Sequence, residues 1–273
     1  MVPTPSLLAL DFDGVICNGL VEYFQTAWRT YCQIWSPDTP TPPEGLAERF
    51  YRLRPVIETG WEMPVLIRAQ MQGIDEAAIL ANWGQIAQHI LVEDEIEPKI
   101  LATKLDGLRD NWTATDLDEW LSLHGFYPGV IYKLKTLLDS PVRLFIITTK
   151  EGRFVRSLLQ KQGLDVPDRQ LFGKESGQPK HQVLRDLLVE YATEGQPPVI
   201  WFVEDRLKTL QNVQKYGELD EVGLYLADWG YNTASERQAA EEDDRIRVLS
   251  LEQFNQDFSS WDSTQRSVMC NSQ

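Results

Sequence analysis

The chain has 273 residues, 42% hydrophobic and 25% charged, which fits an ordinary globular protein of one large domain or two smaller ones. Its formal net charge of −15 argues against nucleic acid or an anionic membrane as partner, and leaves room for a small phosphorylated substrate only where local cations gather. Three scattered cysteines (Cys17, Cys32 and Cys270) without a CxxC, and three histidines (His89, His124 and His181) of which no two sit at ligand spacing, exclude a disulfide framework and a zinc or histidine-rich centre and suit a reducing cytoplasm. No apolar run is long enough to span a membrane, and the N-terminal segment lacks the basic region of a signal peptide.

Residues 6–12 (SLLALDF) form a short apolar run ending in Asp-Phe-Asp-Gly, the pattern of a buried strand entering a turn. From about 18 to 127 the periodicity is mostly helical. Val21, Phe24, Trp28, Tyr31, Cys32 and Trp35 share one helix face, the prolines of 36–45 require a loop, and helical patterns follow at about 63–71, 75–92, 94–110 and 115–123. This block has no strand-like run and is too long for a simple crossover. It predicts a separate helical unit inserted after the first strand. Six tryptophans fall within it, Trp28, Trp35, Trp61, Trp83, Trp112 and Trp120, and are expected to fill its core.

After Pro128-Gly129 the pattern alternates. Helices are predicted at 130–140, 151–162, 179–191 and 206–216, and strands at 142–149, 170–174, 198–205, 221–230 and 245–250. Strands alternating with helices predict an α/β fold, a Rossmann-like parallel sheet covered on both faces. The expected division is core 1–17, helical cap 18–127, core 128–258 and a polar, loosely ordered tail 259–273.

Four polar segments end predicted strands or open helices, so a parallel sheet brings them to one edge. Asp11 and Asp13 are two apart on an extended chain and converge on one side. One carboxylate of such a pair can attack phosphorus while the other moves the proton, and Gly14 lets the chain turn away. Thr148 ends the strand LFII, with Thr149 and Lys150 after it, and a hydroxyl there can bind a phosphate oxygen or simply cap a helix. Lys180 sits in the first turn of a helix, where a cation opposes the dipole and calls for a nearby anion, with Lys174 as its competitor. Glu204 and Asp205 end another buried strand. An acidic pair there suits a hard cation such as Mg2+, unless Asp205 only caps the next helix.

Taken in this order and on these strands, the segments resemble the haloacid dehalogenase-like hydrolases. DFDGV is similar to their first motif, Thr148 to the second, Lys180 to the third and Glu204-Asp205 to the fourth. YPGV (127–130), ITTK (147–150) and ADWGY (227–231) resemble the phosphoglycolate phosphatase-like branch. The resemblance implies a magnesium-dependent phosphatase acting on a small phosphorylated metabolite through an aspartyl-phosphate, and the scattered free cysteines place it in the cytoplasm. Asp11 would be the nucleophile and Asp13 the general acid/base, its carbonyl also on the metal. Thr148 and Lys180 would bind and neutralise the phosphoryl group, Asp205 with Glu204 would complete the metal site, and Gly14, Thr149 and Lys150 would contact substrate. One departure stands out: Glu204 replaces the branch's frequent glycine, and Thr209 its later aspartate. A phosphomutase, another hydrolase or a catalytically degenerate binding protein on the same scaffold are the alternatives. Asp13 argues against a dehalogenase, which by the same resemblance usually lacks the second aspartate.

Overall fold

The computed structural model describes residues 4–193 and 196–261. Strand β1 (Leu7–Leu10) is followed by a two-residue strand β2 (Cys17–Asn18) and by helices α1 (Leu20–Trp35), α2 (Leu46–Leu53), α3 (Glu62–Met71), α4 (Glu76–Glu93), α5 (Pro98–Thr115) and α6 (Leu117–Ser122). Then come β3 (Gly125–Phe126), α7 (Val130–Leu138), β4 (Arg143–Ile147), α8 (Gly152–Lys161), β5 (Leu171–Phe172), α9 (Lys180–Glu190) and β6 (Ile200–Glu204). The described chain ends with α10 (Leu207–Val213), β7 (Gly223–Ala227), α11 (Ala234–Glu241), β8 (Ile246–Leu249) and α12 (Leu251–Asn255).

Six strands form one sheet in the order β5-β4-β1-β6-β7-β8, and every pairing is parallel. The strand order reverses at β1, which leaves a crevice at the carboxyl ends of β1 and β6, the position at which open α/β sheets bind ligands. The strands read as continuous apolar runs because both faces are covered. Successive side chains alternate between two clusters: Leu8, Leu10, Ile146, Trp201 and Val203 join one, and Leu7, Ala9, Phe145, Ile147 and Phe202 the other.

Helices α1 to α5 enclose a third apolar cluster around Phe24, Trp28, Phe50, Leu66 and Trp83. The chain leaves and re-enters the sheet region side by side, because β2 and β3 pair antiparallel, Cys17 opposite Phe126. The helical block is therefore not free of strands, although two residues each give no periodic signal. The expected tryptophan core also needs correcting. Trp112 and Trp120 pack with the sheet-side cluster, while Trp35 and Trp61 are only partly buried. At the other end Trp261 is buried against Trp201, Tyr225 and Phe254, so packing of the core reaches past Ser259. The rest of the expected tail, 262–273 with Cys270, lies outside the described residues. Among the described residues no helix is long and apolar enough to cross a membrane.

Candidate active site

Asp11 follows directly on β1, and its amide donates to the Val203 carbonyl of β6 (2.9 Å), which locks the two central strand ends together. Asp11 is 6% exposed. Lys180, the first residue of α9, donates from Nζ to Asp11 Oδ1 and to Glu204 Oε2, both at 2.6 Å. The anion that this helix-opening cation calls for is thus supplied by two strand-end carboxylates. Lys174 instead lies exposed on the rim of the neighbouring cleft.

Glu204 and Asp205 are each 1% exposed. Asp205 does not cap α10, whose first cap position is Arg206. Its Oδ2 accepts from the Tyr231 amide (2.7 Å), and its carbonyl accepts from the buried Asn232 side chain (2.9 Å), which also reaches the Ala227 carbonyl (2.7 Å) at the end of β7. Glu204 Oε1 accepts from the Arg206 amide (3.1 Å). Two glycines close around Asp205. A Cβ on Gly14, whose φ is +92°, would overlap Asp205 Oδ2, and one on Gly230 would overlap the Asp205 side chain and the Gly14 carbonyl. The Gly14 amide itself is engaged with the Cys17 carbonyl (2.8 Å).

Ligand oxygens of Asp11, Glu204 and Asp205 lie within 4.8 Å of one another. Burial is the main cause that pushes Asp11 and Glu204 up to about 7 and Asp205 up to about 6. Glu204 adds to the shift on Asp11, Asp205 to that on Glu204, and Asp11 to that on Asp205, while Lys180 opposes the first two. Burial also works against the Lys180 ammonium, yet the charges of Asp11 and Glu204 outweigh it and hold Lys180 above the ordinary lysine range. Three buried carboxylates against one lysine leave uncompensated negative charge. The donor set is all oxygen, so the residues fit a hard divalent cation.

Asp13 stands apart from this cluster. Its carboxylate pairs with Lys150 Nζ (3.2 and 3.3 Å) and faces a cleft of about 390 Å³ between the helical insert and the sheet edge. Thr148 is buried just past β4, its hydroxyl accepting from the Lys150 amide (3.1 Å). Thr149 is exposed and lines both this cleft and a second one of about 390 Å³ beside Lys180, where Thr209 also sits. Thr209 accordingly contributes nothing to the carboxylate cluster. The insert adds residues that the sequence did not single out. Glu22 of α1, wholly buried, receives both Nε and Nη2 of Arg109 from α5 (2.8 Å each), the Trp120 indole (3.2 Å) and the Thr26 hydroxyl (2.6 Å). Tyr23, Arg54, Arg109 and Trp120 face the cleft across from Asp13.

The fold is that of the haloacid dehalogenase-like hydrolases. A predicted phosphoglycolate phosphatase from Haemophilus somnus superimposes with a TM-score of 0.54 at 17% identity, covering 90% of this chain and 95% of that one. A predicted phosphatase from Clostridium acetobutylicum gives 0.53 at 13% identity over 93% and 97% of the two chains. A haloacid dehalogenase-like family hydrolase from Streptococcus pneumoniae gives 0.51 at 12% over 89% and 92%. No protein-family model and no curated protein matches the sequence. At these identities the likeness is one of fold.

Proposed function

We propose that the protein is a magnesium-dependent phosphatase that hydrolyses a small phosphorylated metabolite through an aspartyl-phosphate on Asp11. The observation that carries this reading is the buried Asp11–Lys180–Glu204 bridge at the strand-order reversal, with Asp205 alongside. Solved structures of the same fold that carry phosphatase names support it.

In this reading Asp11 attacks phosphorus and the ester oxygen departs with a proton from Asp13, leaving an acyl-phosphate. Asp13 then takes a proton from water, the hydroxide attacks phosphorus, and Asp11 and inorganic phosphate are released. Lys150 orients Asp13. Lys180 and the Thr148 hydroxyl hold phosphoryl oxygens, Lys180 by exchanging part of its bonding to Asp11 for the incoming charge. Thr149 and Lys150 contact substrate at the cleft. Gly14 contributes by letting the backbone approach Asp205. Asp11, Asp205 and Glu204, with the Asp13 carbonyl, would hold Mg2+, which supplies charge neutralisation on the transferring group when bound. The insert serves as a cap that excludes bulk water, and the protein works as a soluble cytoplasmic enzyme without nucleic-acid or membrane partner.

The test is release of inorganic phosphate from para-nitrophenyl phosphate with and without Mg2+. Turnover that requires Mg2+ and disappears in Asp11→Asn is expected. Equal turnover in Asp11→Asn would overturn the assignment of the nucleophile.

A further inference from the structure

The turn after β7 is tied to several parts of the molecule at once. Trp229 donates from Nε1 to the Val15 carbonyl (3.1 Å), in the turn after Asp13, and the Asn232 side chain joins the ends of β6 and β7 through the carbonyls of Asp205 and Ala227. Tyr231 lies between them and is 5% exposed. Its amide donates to Asp205 Oδ2 (2.7 Å), its carbonyl accepts from Arg206 Nη1 (2.5 Å), and its hydroxyl accepts from the Gly19 amide (2.8 Å).

These bonds lead to different places. Asp205 belongs to the carboxylate cluster. Arg206 Nη1 also donates to the Pro55 carbonyl (2.8 Å), inside the helical insert. Gly19 stands between β2 and α1, where the chain leaves the sheet for the insert. The Tyr231 ring packs in the insert's own apolar cluster, edge-on to Tyr23 at 5.8 Å and 4.6 Å from the Arg54 guanidinium. Among the described members of that cluster it alone comes from outside the insert. A tyrosine suits this place because it buries an apolar body and still satisfies a polar group at its tip. Without the hydroxyl the buried Gly19 amide would lose its acceptor, which is costly. With the ring held in the insert and the hydroxyl bonded to the chain crossing, the backbone at Tyr231 has one place to stand, and that place orients Asp205.

We propose that Tyr231 is a positioning residue that uses the helical insert to orient Asp205 for Mg2+, so that the metal site and the first chain crossing into the insert open together. This rests on the magnesium reading of the carboxylate cluster, and amide hydrogen exchange read by NMR separates the two. Exchange would be followed in the full chain without Mg2+ and with Mg2+ at about 100 times the dissociation constant that calorimetry gives for each protein. An opening that breaks the metal site is then suppressed about 100-fold, whereas an independent opening is not. In the wild type the Gly19 amide should slow by about that factor, beyond any change at Ile90 in α4, which reports general slowing. In Tyr231→Phe the Gly19 amide should exchange fast with or without Mg2+, while the amide at position 231 is still slowed. The Mg2+ affinity of Tyr231→Phe should fall about 10-fold, the lower end for lost support of a metal ligand. Tyr51→Phe, which removes a hydroxyl elsewhere in the insert, should match the wild type. A wild-type Gly19 amide indifferent to Mg2+ while that of Tyr231 is slowed overturns the proposal and leaves the magnesium reading standing, and this arm decides even if the variant does not fold. Equal slowing of Gly19 in Tyr231→Phe, or an unchanged Mg2+ affinity there, also overturns it. Slowing at neither position in the wild type overturns both.

Discussion

Two buried carboxylates illustrate how differently one residue type is used. Asp205 is enclosed by backbone, with Gly14 and Gly230 pressed against it and the Tyr231 amide on its oxygen. Gly230→Ala should displace it and lower both magnesium affinity and turnover about 10- to 100-fold, the usual cost of disturbing a group that orients a metal ligand. A metal titration followed by activity would show this, and unchanged affinity would contradict it. Glu22 is equally buried but structural. Burial pushes its carboxyl up, yet the charge and two hydrogen bonds of Arg109 win and hold it at about 2, against an ordinary value of 4.5. A depressed folded-state pKa means stability that is fully present above pH 4.5 and is lost as the pH falls towards 2. Wild-type melting temperatures should drop through that window relative to those of Glu22→Gln, which lacks the titrating group. Arg109→Ala, which leaves Glu22 buried without its partner, should cost about 3–5 kcal/mol at neutral pH by urea denaturation. The carboxylates Asp11, Asp13, Glu204 and Asp205 were legible because each ends a recognisable strand. Glu22, Arg109 and Arg54 were not, since nothing local in a helical segment tells a buried acid from a solvated one. The Glu22–Arg109 pair joins residues 87 apart in sequence.

At the scale of elements, the apolar runs of β1, β4 and β6 and the helices between them could be read directly from the sequence, and the parallel sheet followed from their alternation; the strand order did not, because it depends on which side of β1 each later strand pairs. What escaped was short. Helix α2 has only eight residues after a proline-rich loop, although Leu46, Phe50 and Leu53 share one face. Helices α11 and α12 carry capping boxes at Thr233/Glu236 and Ser250/Gln253, a start signal that the sequence contains but that the weak periodicity of such short helices does not reinforce. The pairing of β2 with β3 involves two residues each and depends on where the insert begins and ends. Within the insert, Phe50 is fully buried and meets the rings of Phe24 and Tyr51 edge-on at 5.7 and 6.5 Å. Phe50→Ala should therefore lose about 3–5 kcal/mol of stability, measured by urea denaturation, as large-to-small changes in packed cores do. A loss below about 1 kcal/mol would mean that this cluster is not a packed core.

Over the whole molecule, the strand-order reversal gathers a lysine and three buried carboxylates, the candidate nucleophile Asp11 among them, from segments between residues 11 and 205, and the insert places a cation-lined cleft above them. A chain with a formal net charge of −15 that concentrates carboxylates at this edge should gain stability from a bound divalent cation. Saturating Mg2+ should raise the melting temperature of the wild type and leave that of Asp205→Asn unmoved; an equal rise in both would place the ion elsewhere. Covalent catalysis by Asp11 can be tested by trapping the intermediate. The protein would be mixed with para-nitrophenyl phosphate and Mg2+, quenched in acid within the first turnovers and reduced with borohydride, and its peptides sequenced by mass spectrometry. Asp11, and no other aspartate, is expected to be converted to homoserine. Turnover with Asp11 unmodified, or modification at Asp13 or Asp205, would contradict it.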